Sequence, residues 1–278
     1  MNITPQDLRG MSLTGLSLTG KKGVEIGPLD RPLVPKGHGT SVYYADYGSS
    51  EAVKARYAQD PDVRTDQICD VDFDLSQISF TDVSSKLGPL DYVVASHVIE
   101  HVPDLAGWLQ DIYASLRPGG ILALVVPDKR FTFDVHRRES PYWQIARAHE
   151  ERRKRPGLWC VIDHVSNVVN ISAQALWADR TSAHEARNVF EPKMCQHVIA
   201  QWEAGEYIDV HCWTFTPRSF LKTLSFLATQ YNLNFVLQSF TSTIHDHLEF
   251  YVQLKRPFSG EPPTDWGPTA QNISNGSH

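Results

Sequence analysis

Two sets of residues in this 278-residue chain carry the groups a ligand or a reaction would need. The first is acidic. Val24-Glu25-Ile26-Gly27-Pro28-Leu29-Asp30 reads as a short β-like run that breaks into a turn. Ser41 to Tyr47 is β-branched and aromatic with Asp46 near its end, and a weaker run, Gln67 to Val71, carries Asp70. A glycine just past a strand lets the backbone approach a ligand closely. A carboxylate at the end of the following strand can accept hydrogen bonds from a ribose diol. Asp70 would then lie beside a purine ring, with the amides after it reading the ring edge. Any one of these acids could merely end a strand, as turn residues do; the ordered trio reads as a nucleotide site. The second set is basic. His136, His149, His164, His184, His197 and His211 crowd one stretch of the chain. A histidine titrating near pH 7 can take a proton from a hydroxyl or ammonium group. His164 adjoins Asp163, and His211 stands two residues after Asp209, which an extended segment would place on the same side. These two are the candidate general bases.

The elements that must hold these groups follow a strand–loop–helix rhythm. Lys22 to Ile26 is the first strand and Ser41 to Tyr47 the second; Ser49 or Ser50 caps a helix from Glu51 to Gln59. Leu90 to Ser96 is a clear fourth strand. Asp104 caps a helix whose Leu105, Trp108, Leu109, Ile112 and Leu116 recur at helical spacing, and Arg117-Pro118-Gly119-Gly120 stops it. Ile121 to Val126 is a continuous apolar strand, as expected when both faces are covered. The rhythm fails over 131–214, where amphipathic patches at Ile171 to Trp177 and Cys195 to Ala204 predict a helical lid that carries an acceptor pocket. It resumes with Thr216 as N-cap, Pro217 as first helical residue and Phe220, Leu221, Leu224 and Leu227 as the buried face. Strands near Asn234 to Ser239 and Leu248 to Leu254 form a hairpin-like pair that places one antiparallel strand in a mostly parallel α/β sheet. The expected layout is a core of 1–130 and 215–257, a lid of 131–214 and a flexible tail of 258–278, with residues 1–20 a short helix or covering arm.

Composition narrows the function. The net charge of −6 offers no general footprint for nucleic acid, and the basic run Arg147 to Arg155 contains glutamates and reads as a solvated helix face. No apolar stretch reaches the ~18 residues of a membrane span. The N-terminus lacks the pattern of a signal peptide, so a cytoplasmic protein is expected. Cys69, Cys160, Cys195 and Cys212 form no CxxC pair. A zinc site could be drawn through Cys160, His164, His211 and Cys212, but reduced thiols are the simpler reading and no metal is assigned. A nicotinamide-dependent oxidoreductase is disfavoured: GxGxxG is incomplete, and Pro28 and Pro32 suit a pyrophosphate cradle badly. A non-catalytic binding domain on the same fold is disfavoured because Glu25, Gly27 and Asp46 are all present.

On these residues the chain resembles the class I S-adenosylmethionine-dependent methyltransferases, of the type 11-like kind. Val24-Glu25-Ile26-Gly27-Pro28 looks like their first motif. Ala95-Ser96-His97-Val98-Ile99-Glu100-His101-Val102-Pro103-Asp104 looks like their fourth-strand motif with an EH-hydrophobic-x-D signature. Leu116-Arg117-Pro118-Gly119-Gly120 matches the turn before their fifth strand. The resemblance covers 22–130 and 215–255 and departs at Leu29-Asp30-Arg31-Pro32, where many members carry further glycines. It implies a Rossmann-like sheet of seven strands with the last antiparallel. It also implies that Glu25, Gly27 and Pro28 line the methionine end of S-adenosylmethionine, Asp46 holds the ribose, and Asp70 with Val71 flanks the adenine. Ser96 and His97 would sit under the sulfonium, His97 being a third catalytic candidate. The product would be S-adenosylhomocysteine, and the acceptor a small molecule or a glycan- or natural-product-type compound methylated on oxygen or nitrogen, in a monomer or homodimer. The segments Val126 to Asp134 and Asp209 to Pro217 resemble a bacterial subgroup associated with polysaccharide and natural-product gene neighbourhoods.

Overall fold

The computed structural model describes residues 8–37, 39–262, 264 and 266. Seven strands form one sheet: β1 (Lys22–Ile26), β2 (Ser41–Asp46), β3 (Phe73–Asp74), β4 (Leu90–Ser96), β5 (Leu116–Pro127), β6 (Val236–Thr241) and β7 (Glu249–Lys255), in the order β3-β2-β1-β4-β5-β7-β6. All neighbours up to β5 run parallel, and β7 runs antiparallel to both β5 and β6. The sheet is therefore the expected Rossmann-like one, with β7 as its antiparallel strand. Val93, Val94, Ala123 and Leu124 are wholly buried, which is why the β4 and β5 segments read as continuous apolar runs rather than alternating ones.

The chain leaves β1 in one direction toward β2 and β3, then returns to place β4 on the other side of β1. Strand order reverses there, and the crevice at the carboxyl ends of β1 and β4 is the position where open α/β sheets bind ligands. The register pairs Ile26 with Ala95, so the turn at Gly27 stands beside Ser96.

Local chemistry explains the flanking helices. Ser49 caps α1 (Ser50–Arg56) by accepting from the Ala52 N–H, Ser79 and Asp82 cap α2 (Phe80–Leu87) reciprocally, and Asp104 caps α3 (Leu105–Ser115) through the Gly107 N–H. Between β5 and the last helix the described elements are α4 (Tyr142–Glu150), α5 (Leu158–Asn167), α6 (Ala173–Ala178), α7 (Ser182–Glu185) and α8 (Met194–Glu203), with short 3-10 turns. Ile145 and Ala148 of α4 join the main core, whereas Val161 and Val165 of α5 close a separate cluster with Val198 of α8 and Val210. The last helix, α9 (Pro217–Tyr231), opens on a Thr216–Ser219 capping box with Pro217 in its first turn, and buries Phe220, Leu221, Leu224 and Leu227. Burying each such side chain stabilises by roughly 1.5–3 kcal/mol before the entropy of ordering it.

Two expectations need correction. The third strand is not at Gln67 to Val71. Thr65–Gln67 is a 3-10 turn, and the Cys69 N–H donates to the Leu29 carbonyl, which ties this stretch to the first loop instead of the sheet. The strand begins at Phe73 and pairs with β2 through only two residues, so its pattern was too short to read. The chain beyond β7 does not simply leave the fold: Trp266 is buried in the main core and the Leu237 N–H donates to Thr264 Oγ at 2.6 Å. Residues 267–278 of the expected tail lie outside the described residues. Among the described residues, no helix is long and apolar enough to cross a membrane.

Candidate active site

Gly27 leaves β1 with a φ of +66°. A Cβ built there would stand 3.0 Å from Val98 Cγ2, a tight contact, and the left-handed conformation favours glycine. Glu25, two residues earlier on β1, is buried, and its two oxygens accept the Leu33 and Val34 N–H groups at 2.7 and 2.8 Å. Those bonds brace the loop, and burial pushes the Glu25 carboxyl up to about 7 against them. The loop lacks the family's extra glycines, and Leu29 itself takes a left-handed φ of +45°. Beneath it, buried Asp30 accepts from Arg64 Nε at 2.9 Å. On the β4 side, Ser96 Oγ is buried and makes no hydrogen bond among the described residues. A glycine cradle beside an unpartnered hydroxyl fits a polar ligand end.

Asp46 closes β2, nearly buried, with one oxygen accepting the Tyr47 N–H at 2.7 Å. Burial raises its carboxyl pKa, that hydrogen bond opposing it. Asp70 is elsewhere. Its side chain is 88% exposed and lies 3.7 Å from Lys54 Nζ, while the Val71 N–H donates to Ser50 Oγ. Neither stands where the third-strand reading put it; the acid paired with Asp46 across the strand ends is Asp74.

The histidines sort by their partners. His97 has a φ of +53° and spans two acids, with Nδ1 3.5 Å from Glu100 Oε1 and Nε2 3.2 Å from Glu249 Oε2. Burial disfavours its charge, but Glu100 and Glu249 outweigh it and hold the ring protonated up to about 10. A ring already protonated is no base at neutral pH. His164 is shifted the opposite way: burial, then the Arg137 charge, pushes it down to about 3. Its neighbour Asp163 accepts from Arg137 Nε at 2.7 Å instead. His211 is buried, but its orienting acid is Asp134, with Nδ1 2.5 Å from Asp134 Oδ2; Asp209 holds His101 Nδ1 at 2.8 Å. Burial opposes the Asp134 charge, but His211 and Arg137 hold its carboxyl down at about 2.

These contacts close one polar cluster. The Glu100 carbonyl accepts the Cys212 and Trp213 N–H groups, which straps the returning chain across the turn after β4. Arg137, 3% exposed, donates to Asp134, Asp163 and the His211 carbonyl. His101 and His211 meet edge to face with centroids 4.8 Å apart. Glu100, His101, Asp134 and Arg137 were not singled out from the sequence. The Glu100-His101 dipeptide sat in a quoted motif and was the available signal; nothing in the sequence marked Arg137.

A family model described as a methyltransferase domain matches residues 16–225. The chain belongs to that family. No curated protein matches it by sequence. Solved structures similar to this methyltransferase include a SAM-dependent methyltransferase from Methanosarcina mazei, at 17% identity and TM-score 0.44, covering 93% of this chain and 100% of the other. An S-adenosylmethionine dependent methyltransferase from Mesorhizobium loti stands at 15% and 0.42, with coverages of 88% and 96%. A protein from Rhodobacter sphaeroides described as a Zn-dependent alcohol dehydrogenase stands at 13% and 0.48, with coverages of 92% and 91%. The spread of chemistries among such distant likenesses leaves the family match to carry the argument.

Proposed function

We propose that this methyltransferase moves a methyl group from S-adenosylmethionine to an oxygen or nitrogen of a small-molecule, glycan-type or natural-product-type acceptor. The observation that carries the reading is Asp46 at the carboxyl end of β2, beside the Gly27 turn, in a chain of this family. Gly27 and Ser96 would hold the amino-acid end of the donor and Asp46 its ribose, while Glu25 keeps the loop shaped. When bound, the donor supplies a methyl group on a sulfonium. Placing an acceptor against that methyl supplies much of the rate, because the displacement needs little covalent help. Calorimetry separates the readings: S-adenosylhomocysteine should bind in the micromolar range and NAD should not. Binding of NAD alone would favour the oxidoreductase, and binding of neither a non-catalytic domain.

An alcohol acceptor must lose a proton. Among the named candidates His211 is the one we retain, since Asp134 fixes Nδ1 and leaves Nε2 to accept. His211→Gln is expected to lower turnover by ~10²–10⁴-fold, and His164→Gln to keep most of it. Equal rates for the wild type and His211→Gln from pH 6 to 9 would leave positioning as the sole device.

A further inference from the structure

We infer that Glu100, His101 and His211 form a binding site for a divalent transition metal ion of the Zn²⁺ class. One ligand atom from each lies within 4.8 Å of the others, in the one such group of His, Cys, Asp and Glu found among the described residues. The carboxylate gives the independent sign. Glu100 is 0% exposed, and neither of its oxygens makes a hydrogen bond among the described residues; its nearest cation is His97, 3.5 Å away. The His97 charge faces Oε1 and leaves Oε2 with no partner among the described residues, and a buried oxygen without a partner is costly unless something binds it.

The two rings are arranged as metal ligands are. Each gives Nδ1 to a carboxylate, His101 to Asp209 at 2.8 Å and His211 to Asp134 at 2.5 Å, so Nε2 is the nitrogen left for a metal. Such carboxylate–histidine pairs fix the tautomer and raise ligand basicity. Two histidines and a carboxylate suit Zn²⁺ and its neighbours, and three protein ligands leave a coordination position open. Ligands around a tetrahedral ion stand ~3.4 Å apart, so the site must contract by about an ångström on binding. His101, with its side chain 34% exposed, can supply that movement and the way in. The groups facing the cluster are His97, Asp134, Arg137, His164 and Asp209. Asp134 and Asp209 balance the charges of His97 and Arg137, so the Glu100 carboxylate is the charge left to draw a cation.

The open position faces an acceptor oxygen if the methyl-transfer reading holds, and the role rests on that reading; the binding itself does not. With a metal on Nε2, His211 is no longer a base, and the ion lowers the pKa of a bound hydroxyl instead. The cysteines drawn into a zinc site from the sequence take no part.

The test strips the full chain with chelator and titrates Zn²⁺ by calorimetry, with Co²⁺ absorption as a second readout. One ion per chain is expected. His101→Gln should weaken binding at least 100-fold, and Asp209→Asn, which alters only a half-exposed side chain, by about 10–100-fold. No stoichiometric binding, or wild-type affinity in both variants, overturns the site. Circular dichroism and S-adenosylhomocysteine affinity on the same metal-free samples keep the two readings apart. Donor binding without metal binding rejects this inference alone, and metal binding without donor binding rejects the methyl-transfer reading alone.

Discussion

Replacing Arg137 with methionine is expected to cost ~3–5 kcal/mol of stability. The guanidinium is 3% exposed and joins three parts of the chain: Asp134 after β5 at 2.8 Å, Asp163 on α5 at 2.7 Å, and the His211 carbonyl on the returning segment at 3.0 Å. Methionine keeps much of the buried stem but removes every donor. Asp134, 2% exposed, then loses its guanidinium partner and retains only the His211 ring. Breaking one side of a buried ion pair leaves an uncompensated charge, which costs more than the pair contributed. Asp163 is the control. Its side chain is 44% exposed, so water takes over when Arg137 is lost, and Asp163→Asn should cost no more than ~1 kcal/mol. Urea unfolding of the three proteins at pH 7 decides the matter. If Arg137→Met costs no more than Asp163→Asn, the guanidinium is not what fastens the helical region to the sheet.

The contrast between these two aspartates shows where sequence reasoning stops. Strands and caps are local, and they were legible. Lys22–Ile26 and Leu90–Ser96 have the predicted bounds, and Asp104, Thr216 and Pro217 begin their helices as read. β3 was misplaced because a two-residue edge strand has no periodicity, so Asp70 lies before the strand and not at its end. The histidine partners were misassigned for another reason. Adjacency in sequence offered Asp163 for His164 and Asp209 for His211, whereas the fold turns Asp163 to Arg137 and Asp209 to His101. The carboxylate on His211 comes from 77 positions away, a distance no spacing rule spans. Glu25 shows a milder form of the same limit. It was read at the end of the first strand and stands there in β1, but no spacing rule shows that its two oxygens accept the Leu33 and Val34 N–H groups of the following loop.

Asp46→Ala is expected to weaken S-adenosylhomocysteine binding by ~1.5–3 kcal/mol, about 10–150-fold in the dissociation constant. The position explains the size. Asp46 ends β2 beside the crevice where strand order reverses, and one of its oxygens is already fixed by the Tyr47 N–H. That bond holds the carboxylate in place before a ligand arrives, so little rotamer freedom is lost on binding. A diol donating to a nearly buried carboxylate makes charge-assisted hydrogen bonds, stronger than neutral ones. Burial raises the Asp46 pKa, so acid should mimic the mutation: affinity is full while the carboxylate is ionised and falls as pH drops through the raised value. Asp70→Ala provides the contrast, since an 88% exposed side chain facing Lys54 has no reason to touch the donor. Calorimetry on both folded variants, at pH 7 and at pH 4.5, carries the test. A tenfold or larger loss in Asp46→Ala with wild-type affinity in Asp70→Ala supports the ribose assignment. The reverse pattern would place the nucleoside against the 68–72 segment and return the adenine role to Asp70.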